Sequence, residues 1–334
     1  MKRYFLLGAL IIAGMLVAGW FVMRQFSPPA AFGTSYQVVS GWPQSPDGMI
    51  TGQVAGVDVD GQGRVFIFRR ADKVWNSETF DPGLIAAPTV LVVDGVSGKL
   101  LVAWGENRFV MPHGLTIDHK GNVWLTDVGL HQVFKFDAEG KLLLTLGEAG
   151  IPGMDETHFN RPTDVAVAAD GTLYVSDGYV NSRVVKFAAD GRYLTSWGSY
   201  GDASGEFDVP HSIALDGKGR LYVADRGNAR VQIFDGDGRY LDTWQDRRQL
   251  GRPWAIRIAS DGTIYVVDGG DQPTWLPDRA RILQLTADGM VVGSFGSFGT
   301  DPGQFVWPHT IGVADDGALY VGEVRVQKFE PIQE

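Results

Sequence analysis

From about Tyr36 onward the chain alternates apolar and polar residues in short runs, and turn pairs such as Asp-Gly or Glu-Gly separate one run from the next. This is the period of a half-buried antiparallel strand. In the stretch that opens at Met111 the runs are LTID, NVWLTD, QVFKFD and LLLTLG. The same sequence of four runs recurs from Arg161 and from Val209. It recurs with an insertion from Arg252, and in shortened form from Trp307. A more divergent copy starts at Val54 and continues through TVLVVDGVSGKLLVAWG. Repeats of this length, with four strands each, stack radially. The pattern therefore predicts an all-β fold, a six-bladed β-propeller. The last unit ends near Phe329 with three strands at most, so YQVVSGWP from Tyr36 is expected to supply the fourth and close the ring.

A different pattern precedes the repeats. Lys2 and Arg3 lead into an apolar run from Tyr4 to Met23, followed by Arg24. Such a run is long enough to cross a bilayer as a helix. No small-x-small cleavage site follows it between Gln25 and Ala31, which favours an uncleaved transmembrane anchor over a cleaved signal. The basic residues at the very start place that end in the cytoplasm and the propeller on the extracytoplasmic side; cleavage would make the protein secreted. The expected division is residues 1–34 as membrane anchor and linker and residues 35–334 as propeller.

Composition narrows the chemistry. The net charge is −10, so nucleic acid, which selects clustered Lys and Arg, is not an expected partner. There is no cysteine, which removes thiolate ligands, Cys nucleophiles and disulfides together. Six histidines are present, and three of them share one register. The residue after the proline, or its equivalent, that opens the first strand of each unit is Ala55, His113, Thr163, His211, Trp254 and His309. The histidines fall in blades two, four and six, 98 residues apart each time. First strands line the channel of a propeller, so the three imidazoles are expected to converge with three-fold geometry. Three neutral nitrogens with one open position suit a catalytic zinc ion, and imidazole favours zinc over calcium or magnesium. The alternative is a set of histidines that only lines a wet channel.

A second register ends strand two: Arg69, Asp127, Asp177, Asp225, Asp268 and Glu323. The repeated acid is expected to be structural, accepting bonds from turn amides. The next position holds Arg70 in blade one and Arg226 in blade four, and Tyr179 lies one further along in blade three. Strand two returns to the face where strand one starts, so these side chains are expected around the histidines. Two guanidiniums suit a carboxylate-bearing small molecule or peptide. Nearby cations also stabilise a phenolate, which makes Tyr179 a usable base. Against this stand surface ion pairs with the blade aspartates for the arginines, and simple rim packing for Tyr179.

The stretches FRRADKVW, MPHGLTID, TDVGLHQVFKFD, HFNRPTDVAV, VSDGYVNSR, GEFDVPHSIAL, VADRGNARVQ and WPHTI resemble NHL-repeat propellers, and among these the peptidyl-α-hydroxyglycine α-amidating lyase domain. The resemblance runs from about Gln53 to His309. It implies cleavage of the N–C bond of a peptide ending in α-hydroxyglycine, to give an amide and glyoxylate. It implies zinc on His113, His211 and His309, Tyr179 as base, and Arg70 and Arg226 on the substrate carboxylate. It also implies a structural calcium held by the carbonyls of Val57 and Leu115 and by an Asp, but that third place is Thr310 here, so the calcium set is incomplete. Animal relatives pair the lyase with a copper hydroxylase; no such domain fits in this chain, so a separate hydroxylase is expected to supply the substrate. A non-catalytic NHL propeller acting as a binding or scaffold module is the other open reading. A lactonase-type site would need axial carboxylates, and none occupies that register.

Overall fold

Each unit of four runs folds into one antiparallel four-stranded sheet, and there are six such sheets. The fold is that of a computed structural model, which describes residues 33–44, 52–75, 81–270 and 279–332. Turn chemistry sets the hairpins. Between the first and second strands of blade two, Asp118 Oδ1 accepts the amides of Lys120 and Asn122, each at 2.9 Å. Gly121 completes that turn at φ +79°, a conformation natural to glycine.

The core lies between blades. Phe66 and Phe68 of blade one are fully buried against Leu115, Leu125, Phe134 and Phe136 of blade two. Full burial of one such side chain contributes about 1.5–3 kcal/mol. No sheet could bury both of its faces alone, so the blades are stable only as a stack.

The ring closes as the pattern predicts. The last sheet is built from three C-terminal strands and from Tyr36–Val38. Tyr36 pairs with Pro331 and Val38 with Phe329 in the outermost position. The Tyr36 hydroxyl also meets that of Tyr265 in blade five at 2.7 Å. Nothing helical occurs among the described residues, and no helix there is long and apolar enough to cross a membrane. The expected anchor at 4–23 lies outside the described residues.

The repeated acids at the end of strand two are structural, as expected. Asp127 accepts backbone N–H groups from Val110, Met111, Gly129 and Leu130. Asp177 pairs with Arg183 at 2.9 Å and Asp225 with Arg230 at 2.7 Å. In blade one Arg69 takes the place of the acid, and its Nε donates to the Pro88 carbonyl.

Candidate metal centre

In four of the six blades the first strand carries its channel-facing residue on a bulge. In blades one, two, four and five the register with strand two slips across Ala55, His113, His211 and Trp254. A bulge leaves a residue unpaired and re-aims its side chain. The alternating pattern alone would not turn these residues to the axis; the slip does.

The slips at His113 and His211, and His309 just ahead of the first strand of blade six, bring the three histidines together. Their rings lie 4.7–4.9 Å apart between centroids, with interplanar angles of 72° and 73°. Their nearest nitrogens all lie within 4.8 Å of one another, and all three residues are buried. Each Nδ1 is held by a carbonyl of the next blade. His113 meets Thr163 O at 2.7 Å, His211 meets Trp254 O at 2.6 Å, and His309 meets Ala55 O at 2.9 Å. A carbonyl only accepts, so each Nδ1 carries the proton and each Nε2 lone pair is free to bind a metal. The three non-histidine positions of the register thus orient the three histidines. Burial, aided by the cationic arginines, holds all three imidazoles well below their ordinary protonation range. Neutral imidazoles on a near three-fold axis can form a metal site. The other histidines take no part: Nδ1 of His131 accepts the Arg161 amide, and His158 pairs with Asp155 at the surface.

Tyr179 stands at the opening of this ring. Its hydroxyl oxygen is 3.0 Å from Nε2 of His113 and 3.0 Å from Nε2 of His211. Gly178 makes that placement possible, because a Cβ there would lie 1.9 Å from the Pro210 carbonyl oxygen. The ring of Tyr179 packs against Trp75, with centroids 4.9 Å apart.

The two arginines are held without acidic partners among the described residues. Arg70 Nε donates to Pro112 O at 3.0 Å and Nη1 to Gln53 Oε1 at 2.9 Å. Gln53 Oε1 also accepts the Trp75 amide, and Trp75 lies against the Arg70 guanidinium. Nη2 of Arg70 is buried and has no partner. Burial pushes this guanidinium down to about 10, so it remains charged at neutral pH. Arg226 stacks on Trp254, its central carbon 4.3 Å from the ring centroid, and faces Tyr179 at 5.4 Å. Neither arginine forms an ion pair with a blade aspartate among the described residues: Asp177, Asp225 and Asp268 pair with Arg183, Arg230 and Arg281, and Asp127 accepts backbone amides. Gln53, Trp75 and the carbonyls of Ala55, Thr163 and Trp254 are the parts of the site that the residue pattern did not assign a role.

The carbonyls expected to hold calcium do not fit that ion. Leu115 O accepts a bond from Nη2 of Arg257 at 3.0 Å. Thr310, at the place of the expected Asp, uses its Oγ1 to accept the Val57 amide at 3.3 Å. Val57, Leu115 and Thr310 therefore offer no carboxylate, and a fixed cation already occupies one carbonyl.

Comparison with known proteins follows these features. The NHL repeat family model matches residues 159–187 and 207–234. Peptidyl-glycine α-amidating monooxygenase B of Xenopus laevis is 38% identical over 304 residues, covering 84% of this chain and 34% of its own length. This chain thus spans about a third of that protein. Peptidyl-α-hydroxyglycine α-amidating lyase 2 of Drosophila melanogaster is 36% identical over 315 residues, covering 89% of this chain and 74% of its own length. Among solved structures, a streptogramin B lyase superposes with a TM-score of 0.59 at 14% identity, over 89% of this chain and 98% of that one, a likeness of fold alone. The similarity to the fly protein extends through most of both chains and is too high for a shared architecture to account for: the chain belongs to the peptidyl-α-hydroxyglycine α-amidating lyase family.

Proposed function

We propose that this chain is a zinc-dependent lyase that cleaves the N–C bond of a peptidyl-α-hydroxyglycine, or a related N-(α-hydroxyacyl) amide. The products are an amide and glyoxylate. The observation that carries the proposal is the buried, unpartnered Nη2 of Arg70 beside three metal-ready histidines and a phenol. An orphaned buried guanidinium nitrogen costs about 1–3 kcal/mol or more, and a substrate carboxylate would satisfy it.

His113, His211 and His309 would hold the zinc. When bound, it supplies Lewis acidity toward the substrate hydroxyl. Arg70 and Arg226 bind and orient the carboxylate. Trp75 and Gln53 fix Arg70, and Trp254 fixes Arg226, so the fork is set before substrate arrives. Tyr179 serves as the base, its phenolic oxygen taking up the hydroxyl proton. The O–H pair forms the carbonyl of glyoxylate, the N–C pair leaves with the amide nitrogen, and that nitrogen takes up a proton. The membrane anchor, the extracytoplasmic position and the supply of substrate by a separate hydroxylase belong to the same proposal. They are supported by the apolar run at 4–23 and by the family.

The test is glyoxylate release from an N-acyl-α-hydroxyglycine by the zinc-loaded protein. Release well above the uncatalysed rate is expected. No release above that rate would leave the binding-module reading in its place.

A further inference from the structure

Arg257, from the first strand of blade five, lines the same small axial cavity as His113, His211 and His309. Its side chain is 12% exposed and that of Asp164, its ion-pair partner, 5%. Nη1 donates to Asp164 Oδ2 at 2.9 Å, to Ser212 Oγ at 3.2 Å and to Ile256 O at 2.9 Å. Nη2 donates to Leu115 O at 3.0 Å and to Asp164 Oδ1 at 3.4 Å. Nε is buried without a partner. One guanidinium thus joins the first strands of blades two, three, four and five. Blade one is tied in through Asp58, whose carboxylate accepts the Ile117 amide of blade two and feels the Arg257 charge.

These bonds land next to the metal centre. Leu115 lies two residues after His113, Ser212 follows His211, and Asp164 follows Thr163, whose carbonyl orients His113. The family resemblance puts calcium on Leu115 O, with a carboxylate from the position that is Thr310 here. In this chain the carboxylate is missing and a guanidinium donates to that carbonyl. A calcium ion beside Arg257 would meet a like charge and a carbonyl already engaged.

We propose that Arg257 is a built-in channel cation that replaces calcium and holds the histidine-bearing strands in register. A bound ion needs oxygen ligands and leaves with dilution or chelation. A guanidinium presents its donors in a fixed fork and is part of the chain. The protein is therefore closed around its axis whether or not calcium is available.

The test uses the purified full-length chain. Elemental analysis of wild type should find no stoichiometric calcium, and millimolar calcium chloride should leave its Tm unchanged. Arg257→Ala strands the buried carboxylate of Asp164 and the half-buried one of Asp58, and frees Leu115 O. Its Tm should fall by about 5–10 °C, as expected when a buried ion pair loses one partner in a chain of this size. Calcium, but not magnesium, should recover a large part of that loss, because the released oxygens form a flexible acidic site. Arg257→Lys keeps the charge, so it should melt between the two and ignore calcium. One calcium per wild-type chain, or a wild-type Tm that climbs with calcium, would overturn the proposal. So would an Arg257→Ala protein that melts lower yet ignores calcium, since Arg257 would then be an ordinary internal ion pair. If Arg257→Ala does not fold, the wild-type titration and Arg257→Lys decide the question between them.

Discussion

Nδ1 of His113 lies 2.7 Å from the carbonyl oxygen of Thr163, its counterpart in the next blade. The same relation joins His211 to Trp254 and His309 to Ala55. Six equivalent positions therefore alternate between a histidine and the carbonyl that aims it. The tautomer of each ring is set by backbone, which side-chain substitution cannot remove. One zinc per chain is expected by elemental analysis of the wild type. Replacing any one histidine by Ala leaves two nitrogens and should abolish stoichiometric binding. Full occupancy in His211→Ala would sink the three-histidine site.

The same burial predicts how the metal-free protein responds to acid. Each of the three imidazoles is harder to protonate folded than unfolded, through burial and the nearby arginines. Below the ordinary histidine pKa of about 6.5 the unfolded chain therefore binds more protons, and stability is lost as the pH falls. Each histidine contributes up to about 1.4 kcal/mol per pH unit until its folded pKa is reached, so the three together contribute up to about 4 kcal/mol per pH unit. Denaturant unfolding of metal-free protein between about pH 6 and pH 5 measures this slope. His309→Asn should reduce it by about a third; an unchanged slope would contradict the assignment.

Gly178 offers a test of how tightly blades three and four meet. An added Cβ would sit 1.9 Å from the Pro210 carbonyl, on backbone that cannot swing away. Gly178→Ala should cost about 3 kcal/mol or more, and it should also displace Tyr179 and His211, its neighbours in the two strands. Gly217→Ala is the control, because nothing lies near its Cβ position. It should change stability by less than about 0.5 kcal/mol.

Ring closure rests on three residues. A chain that begins at Thr34 keeps Tyr36–Val38 paired with Val326–Pro331 and should fold as a soluble domain. A chain that begins at Val39 loses that strand and exposes the edge of the last sheet. It should melt lower and aggregate, as read by light scattering during a thermal ramp. Equal behaviour of the two chains would show that closure does not depend on this strand.

Strand identity, blade boundaries and closure were all legible, because alternation and Asp-Gly turns act locally. The histidines were legible for a different reason: a repeat turns sequence spacing into angle around an axis. The rest of the site was not. The bulges at Ala55, His113, His211 and Trp254 depend on how two strands align, and no residue type marks them. Carbonyls that aim the histidines belong to Thr163, Trp254 and Ala55, residues with no chemistry in common. Gln53 and Trp75 reach Arg70 through a loop path that the pattern does not specify. Arg257 sits in an otherwise ordinary strand, PWAIRI, where alternation says nothing of the four blades it joins.

The lyase chemistry makes the most demanding prediction. Tyr179 reaches two of the three histidines with its hydroxyl, and its ring meets theirs edge-on while packing on Trp75. Tyr179→Phe keeps the packing and removes the proton acceptor, so the protein should fold and hold zinc as before. Glyoxylate release should drop by about 10²–10⁴-fold, the usual cost of a lost general base. Arg70→Lys separates binding from chemistry. A lysine cannot donate to Pro112 O and Gln53 Oε1 and still present a third nitrogen to a carboxylate. KM should therefore rise along with a fall in kcat, whereas Tyr179→Phe should lower kcat and leave KM nearly unchanged. Measured together on one α-hydroxyglycine substrate, the two variants distinguish a base from a carboxylate anchor. If Tyr179→Phe turns over as fast as wild type, the phenol is not the base and the proposed proton path fails, whatever Arg70 does.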